Sequence, residues 1–330
     1  MSKTCAAGRA FLLAVLAAFA AACGPAPGSR APEIQQVMPD SGPLPPGMVR
    51  RLLLLDATRV GSRVVAVGDR GYIVVSEDRG ATWHRAKAPR TPMLTAVDFL
   101  DDQLGVAVGH DSAILLTQDG GESWSLQFSA PKEERPLLDV LIVKKDFAVA
   151  VGAYGAYYES RDAGKTWTSR KITEDDKHFN SIVELGDGRL LILGEAGTIL
   201  ATNDWGKTWT PQPSPYKGSF FGSLVAEDGA VLAFGMRGHI YRSADKGRTW
   251  NPVDNASTAT LLGGERMQDG SIVLAGSMGT ALVSRDNGRS FQPVLTHYTR
   301  ALSKPVAGGD GQLLLLGEGG VLAVPLAPKP

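Results

Sequence analysis

The sequence predicts an all-β fold, a seven-bladed β-propeller of four-stranded blades. Three observations carry that expectation. A short motif, Ser/Thr-x-Asp-x-Gly-x-Thr/Ser-Trp, recurs at near-constant spacing. A Gly-x-x-Gly signature runs in phase with it. Gly is abundant, with 39 residues in a chain of 330, as a fold of many tight turns requires.

The first motif, an Asp box, appears as Ser76-Asp78-Gly80-Thr82-Trp83 and as Thr117-Asp119-Gly121-Ser123-Trp124. It returns as Ser160-Asp162-Gly164-Thr166-Trp167, Thr202-Asp204-Gly206-Thr208-Trp209 and Ser243-Asp245-Gly247-Thr249-Trp250. The last copy, Ser284-Asp286-Gly288-Ser290, ends in Phe291. The six Asp residues are 41–43 residues apart, the period of a four-stranded propeller blade. The glycine pairs are Gly68/Gly71, Gly152/Gly155, Gly194/Gly197, Gly235/Gly238, Gly276/Gly279 and Gly317/Gly320, while the second unit keeps Gly109 and has Ser112. That makes seven units, one more than the boxes. Each pair marks a tight hairpin in which glycine supplies the positive φ.

The second unit shows the blade. Leu94 to Phe99 alternates, Gly105 to Gly109 is short and apolar, Ile114 to Thr117 follows the hairpin, and Trp124 to Phe128 is the outer strand. The seventh unit ends after its third strand, at Val321 to Leu326. The strand-like segment Glu33 to Met38 is expected to supply its fourth strand and so close the ring. Six blades with an irregular seventh unit is the alternative.

Residues 1–22 form a targeting segment. Lys3 and Arg9 precede an apolar run from Phe11 to Ala22, shorter than the roughly 20 residues of a membrane span. Ala20-Ala21-Ala22-Cys23 resembles a bacterial lipobox, so Cys23 is the expected lipidation site; simple cleavage after Ala22 is the alternative. Gly24 after the Cys fits outer-membrane rather than inner-membrane cargo. The expected location is therefore periplasmic, anchored by lipid to the outer membrane, or secreted. Residues 23–32 read as a Pro/Gly/Ala tether and residues 33–330 as one propeller domain. Cys5 and Cys23 are the only cysteines, so the propeller has no disulfide. A formal net charge of +0 argues against nucleic acid as a partner.

The boxes read as scaffold. Asp78, Asp119, Asp162, Asp204, Asp245 and Asp286 can accept hydrogen bonds within their own turns. Trp83, Trp124, Trp167, Trp209 and Trp250 are plates suited to packing between blades, with the indole N–H near a partner. A device repeated in every blade serves folding. A calcium-loop reading of these boxes is weak, because the loop is too short and a bidentate Glu is missing. The five His show no metal-ligand spacing, so no metal or cofactor is expected.

The in-phase glycines and boxes, as in VGDRGYIVVSEDRGATW from Val67 to Trp83, closely resemble the photosystem II stability/assembly factor family over about residues 33 to 326. The resemblance implies a seven-bladed propeller that acts as an assembly chaperone, binding a membrane protein subunit. The lipobox departs from the soluble lumenal form and points to an envelope partner.

The hairpins and blade-to-blade loops share one face, opposite the Asp boxes. That face carries Arg70, His110, Asp111, Tyr154, Glu195 and Arg237 on hairpins and Tyr298 and Arg300 on a connecting loop. Arg and Tyr are frequent interface anchors, so these eight are the partner-binding candidates. The expected function is a non-catalytic, monomeric binding or assembly scaffold. The alternative is a secreted sialidase-like glycan hydrolase or glycan-binding propeller, with Arg70, Arg237, Tyr154 and Glu195 in sialidase roles or Asp111 and Glu195 as paired carboxylates. The Arg-Ile-Pro signature of sialidases is absent, and most Trp is committed to the boxes.

Overall fold

The computed structural model describes residues 42–309 and 311–326. The expected targeting segment, Cys23, the tether and the strand Glu33–Met38 lie outside the described residues. The remainder forms seven antiparallel sheets, six of four strands and one of three. Their inner strands are Leu54–Val60, Leu94–Phe99, Leu137–Lys144, Phe179–Glu184, Phe220–Val225, Leu261–Arg266 and Leu302–Ala307. Within each sheet the strands run in sequence order from the centre outward. The seventh sheet ends at Gly320–Pro325, and no described strand completes it.

Buried side chains fall into seven clusters, each spanning two neighbouring blades. Val306, Leu314 and Leu316 of the last blade pack with Leu54, Val64 and Val74 of the first. The Ser303 hydroxyl donates to the Leu54 carbonyl at 2.7 Å across the same seam. Seven sheets therefore form the ring, and the six-blade alternative fails because the seventh sheet buries two faces like the others.

Each Asp box is a closed hydrogen-bonded loop. In the first, the Ser76 hydroxyl donates to Asp78 Oδ1 (2.8 Å) and accepts the Gly80 N–H (2.7 Å). Thr82 donates its N–H to Asp78 Oδ1 (2.8 Å) and its hydroxyl to Oδ2 (2.6 Å). The same set recurs to the last copy, around Asp286. The box glycine faces the preceding blade: Gly247 meets Leu191, and Gly288 meets Leu232. The box aromatic wedges into that same seam, Trp124 between blades one and two and Trp167 between two and three. Phe291 fills the corresponding place between blades five and six, so the departure from Trp keeps the wedge.

The indoles do not all find partners. Trp83, Trp124 and Trp167 donate Nε1–H to the glycine carbonyl of their own box, at 2.9–3.1 Å. Trp209 and Trp250 have buried Nε1 atoms without an acceptor. Packing, rather than the indole bond, is thus what all the boxes share.

The Gly-x-x-Gly hairpins also differ from expectation in one respect. Positive φ falls on the last two residues of each turn, as at Arg70 (55°) and Gly71 (67°), and not on the first glycine. Gly68 is extended, at φ −178°. It is glycine because a Cβ there would run into the Leu53 carbonyl oxygen. Ser112 in the second blade takes φ 50° and uses its hydroxyl to hold the Arg135 carbonyl at 2.7 Å. That bond ties the turn to the neighbouring loop where the other blades use glycine to let the loop approach.

Two substitutions separate packing from hydrogen bonding. Trp124→Phe leaves the buried Gly121 carbonyl without its donor and should lower unfolding stability by about 1–2 kcal/mol. Trp250→Phe removes an N–H that has no acceptor and should cost clearly less. Urea unfolding of both variants beside the parent chain measures the difference.

Candidate functional site

Two regions of the ring carry chemistry: the hairpin face and the central channel. The hairpin face is built on a repeated backbone. In each of the first six blades the third residue of the turn is left-handed: Arg70, Asp111, Tyr154, Ala196, Arg237 and Met278, all at φ 53–58° and all exposed except the half-exposed Asp111. This conformation costs a non-glycine residue roughly 1 kcal/mol or more. Backbone held in a costly region is a common mark of functional surfaces.

The candidate residues occupy this face as follows. Arg70 is exposed and lies 3.4 Å from Asp69. His110 and Asp111 share the second turn; His110 is half-buried with Nε2 unpartnered, and burial depresses its pKa. Tyr154 is 49% exposed, its ring edge-on to His178 at 4.9 Å. Glu195 accepts the His178 backbone N–H at 3.2 Å. Burial lowers the pKa of His178 as well, against the opposing charge of Glu195. Arg237 is exposed, and the neighbouring Tyr216 and His239 rings lie 4.5 Å apart. Tyr298 and Arg300 sit one blade further on and both donate to the Glu318 carbonyl, at 2.7 and 3.3 Å. Tyr298 is therefore tied into the fold, while Arg300 stays exposed. The structure brings Tyr154, His178 and Glu195 together. Arg70, Tyr154, Glu195 and Arg237 stand on four separate hairpins. Two concavities, a groove beside blade one and the central channel, are lined by neither Asp111 nor Glu195.

The channel was not singled out by the sequence reading. Its lining is polar and reaches from blade to blade. Asp56 Oδ2 accepts the Val97 N–H (2.9 Å), Asp98 Oδ2 the Ile142 N–H (2.7 Å) and Asp139 Oδ2 the Ile182 N–H (2.8 Å). Asn180 and Ser181 continue the belt to Phe220 and Ser223, both at 2.7 Å. Lys304 closes it, 3.2 Å from Glu265 and 3.7 Å from Asp56. A signal was present: Asp56, Asp98 and Asp139 are 41–42 residues apart, in step with the blades. It went unseen because the inner strands were read for their apolar alternation alone.

These carboxyls and the box carboxyls titrate in opposite directions. Burial pushes Asp98 up to about 6 and Asp139 up to about 7, in spite of the backbone N–H each accepts. Burial raises Asp56 too, with Lys304 opposing it. Burial works against the Lys304 ammonium, but Glu265 and Asp56 outweigh it and hold its pKa above the usual lysine range. In the boxes, the Thr202 and Thr208 hydroxyls hold Asp204 down to about 2. At Asp245 and Asp286 burial is opposed by similar hydroxyl and backbone bonds, and these carboxyls also lie at about 2.

Among the described residues no group of three His, Cys, Asp or Glu is placed to hold a metal ion, and no helix is long and apolar enough to cross a membrane.

The closed ring, the repeated boxes and the decorated hairpin face define a seven-bladed Asp-box propeller. Residues 127–324 match the family described as photosynthesis system II assembly factor YCF48. The chain belongs to that family. Among solved structures it is similar to YCF48 bound to D1 peptide, with 21% identity and a TM-score of 0.66 over 84% of this chain and 93% of that one. It is similar to YCF48 from Cyanidioschyzon merolae, at 18% identity and a TM-score of 0.64 over 86% and 97%. The WD40 β-propeller domain of Doa1 superposes equally well at 13% identity, with a TM-score of 0.67 over 86% and 95%. At these identities the likeness concerns the fold. No curated protein matches the sequence significantly.

The opposed titrations set the pH dependence of stability. The channel carboxyls have folded pKa values above the unfolded value of 3.8, so folding takes up protons and stability rises as pH falls from about 8 toward 5. The box carboxyls are depressed, so their contribution is present above the unfolded value and is lost as pH falls through it toward 2. Urea midpoints across pH should peak between about 4.5 and 6. Asp139→Asn, which keeps an acceptor, should flatten the neutral limb and leave the acid limb in place.

Proposed function

We propose that this protein is a non-catalytic, exported binding scaffold of the assembly-factor type, which engages a membrane or envelope protein through its hairpin face. One observation carries the reading. Six turns of the same backbone hold Arg, Asp, Tyr, Ala, Arg and Met at a left-handed position that resists side chains. Both rims have such a position, occupied on the Asp-box side by Arg79, Ala163, Trp205, Lys246 and Asn287, but there the loop around it is fastened by the repeated Ser/Thr and Asp bonds, whereas the hairpin side carries Tyr154 and Met278 exposed. Uniform scaffold with varied display is the arrangement of a recognition surface. Tyr154, Arg70 and Arg237 are side chains of the type that anchor protein interfaces. Family membership supports the assembly role, as does a similar propeller solved with a D1 peptide.

In the same proposal the chain works as a monomer, carries lipid on Cys23 and faces the periplasm from the outer membrane. The carboxylates of the channel each hold a neighbouring blade, which leaves them bound to the scaffold rather than presented to a substrate.

Crosslinking in the native envelope, affinity recovery and mass spectrometry test the reading, with Arg70→Ala, Tyr154→Ala and Arg237→Ala combined as the control. One membrane protein complex should be recovered with the parent chain and lost, by about tenfold or more, with the triple variant. Recovery of the same complex by both chains would move the interface off this face. Failure to recover any protein under conditions that preserve other envelope complexes would overturn the scaffold reading in favour of a glycan ligand.

A further inference from the structure

The large apolar side chains that stand exposed among the described residues are Met48 (38%), Tyr154 (49%), Met278 (69%) and Leu295 (79%). All four lie on the hairpin face, and three of them form one arc over blades six, seven and one. The arc is continuous in space. Met278 tops the sixth hairpin, whose Gly279 carbonyl accepts the Thr296 hydroxyl at 2.9 Å from the loop that carries Leu295. Tyr298 in that loop bonds the Glu318 carbonyl of the seventh hairpin. Gly320 of that hairpin lies against the Val49 carbonyl, at the end of the short helix Pro46–Val49 that carries Met48. Glu318 bridges to Leu53, whose carbonyl accepts the Asp69 N–H of the first hairpin at 2.9 Å.

The charge on this arc is one-sided. Arg50, Arg51 and Arg300 are exposed, and no carboxylate pairs with them among the described residues. The nearby acids are Asp69, beside Arg70, and Glu318. A groove of about 580 Å³ opens between Met48 and Tyr72, with Arg51, Arg70 and Asp69 on its wall, Asp69 lying 3.4 Å from Arg70. Protruding aliphatics on a rim with three unpaired arginines, next to a recess in which Arg51 and Arg70 outnumber Asp69, suit the interface of a bilayer. The apolar tips enter the acyl boundary, the guanidinium groups stay at headgroup level, and the recess receives a phosphate.

We propose that blades six, seven and one rest on an anionic lipid surface, with Met48, Met278 and Leu295 inserted and Arg50, Arg51 and Arg300 at the headgroups. This rests on the reading that the protein works beside a membrane, and it refines it. With the arc on lipid, the hairpins of blades two to five, around Tyr154 and Arg237, remain free and close to the membrane for a protein partner.

The test uses the full chain with Cys5→Ser and Cys23→Ser, so that acylation plays no part. An environment-sensitive fluorophore is placed singly at Leu295→Cys, Met278→Cys or, on the Asp-box side, Lys165→Cys. Vesicles of phosphatidylglycerol and phosphatidylcholine are added, with pure phosphatidylcholine for comparison. The proposal expects a blue shift at positions 295 and 278 and none at 165, whichever part of the chain first meets the vesicle. It also expects about a tenfold or greater loss of vesicle affinity for Arg50→Glu with Arg51→Glu, read from the label at 295. Equal response at all three positions, or none at 295 and 278 on chain that sediments with vesicles, overturns it. A response at 295 to a detergent-solubilised envelope extract but not to vesicles would assign the arc to a protein and also overturn it. The partner recovery described above is made after crosslinking and is judged separately, so lipid contact and partner binding fail independently.

Discussion

A propeller blade is a small sheet with two apolar faces, and only another blade can cover each of them. The whole molecule follows from that requirement. Leu115 and Val106 sit in adjacent strands of one blade yet belong to different buried clusters, one shared with the blade before and one with the blade after. No blade is a core by itself, so the apolar energy is gained only when the circle is complete. The seam between Val306, Leu314 and Leu316 on one side and Leu54, Val64 and Val74 on the other is therefore equal in kind to the six internal seams.

Closure leaves two rims, and the chain uses them differently. On the Asp-box rim the loops bond inward and to the neighbouring blade. Guanidinium groups reach across the seams to box carbonyls: Arg63 to Gly120, Arg189 to Lys246 and Arg242 to Asn287, all at 2.8–2.9 Å. That rim seals the structure. On the hairpin rim the backbone is equally regular, but the residues at its left-handed position range over Arg, Asp, Tyr, Ala and Met. The inner wall of the ring contributes a third arrangement, a belt of side-chain bonds in which one lysine faces four carboxylates. Burial first, and the charge of Asp56 after it, favour protonation of Asp98 and Asp139 just where the boxes prefer to be ionised. The same residue type thus responds to acid in opposite senses: protonation relieves the cost of the buried belt and breaks the bonds of the boxes.

Much of this was legible from residue spacing. The period of Asp78 through Asp286 gives the blade length, and the glycine pairs give the number of blades including the one without a box. The strand limits of the second unit, Leu94–Phe99, Gly105–Gly109 and Ile114–Thr117, coincide with those observed. The face that carries Arg70, Tyr154 and Arg237 also follows from topology, since alternate turns of an antiparallel blade must lie on alternate rims. Less legible were the reasons behind single residues. Gly68 looks like a turn glycine but is selected by the Leu53 carbonyl pressed against it. Tyr298 looks like a surface tyrosine but is bonded to the last hairpin. Trp250 looks identical to Trp124 but has lost the indole bond.

The sequence by itself determined the repeat, the blade, the two rims and the residues shown on each, because these depend on contacts within about ten positions of one another. Only the tertiary structure decided what depends on contacts between blades. It joined Met278, Leu295 and Met48 into one arc across some 250 residues of chain, and placed Lys304 beside Asp56 at the point where the ring closes. Local hydrogen bonds and turn angles are written in short motifs. The approach of the last blade to the first is set by the curvature accumulated over all seven, and no short stretch of sequence records it.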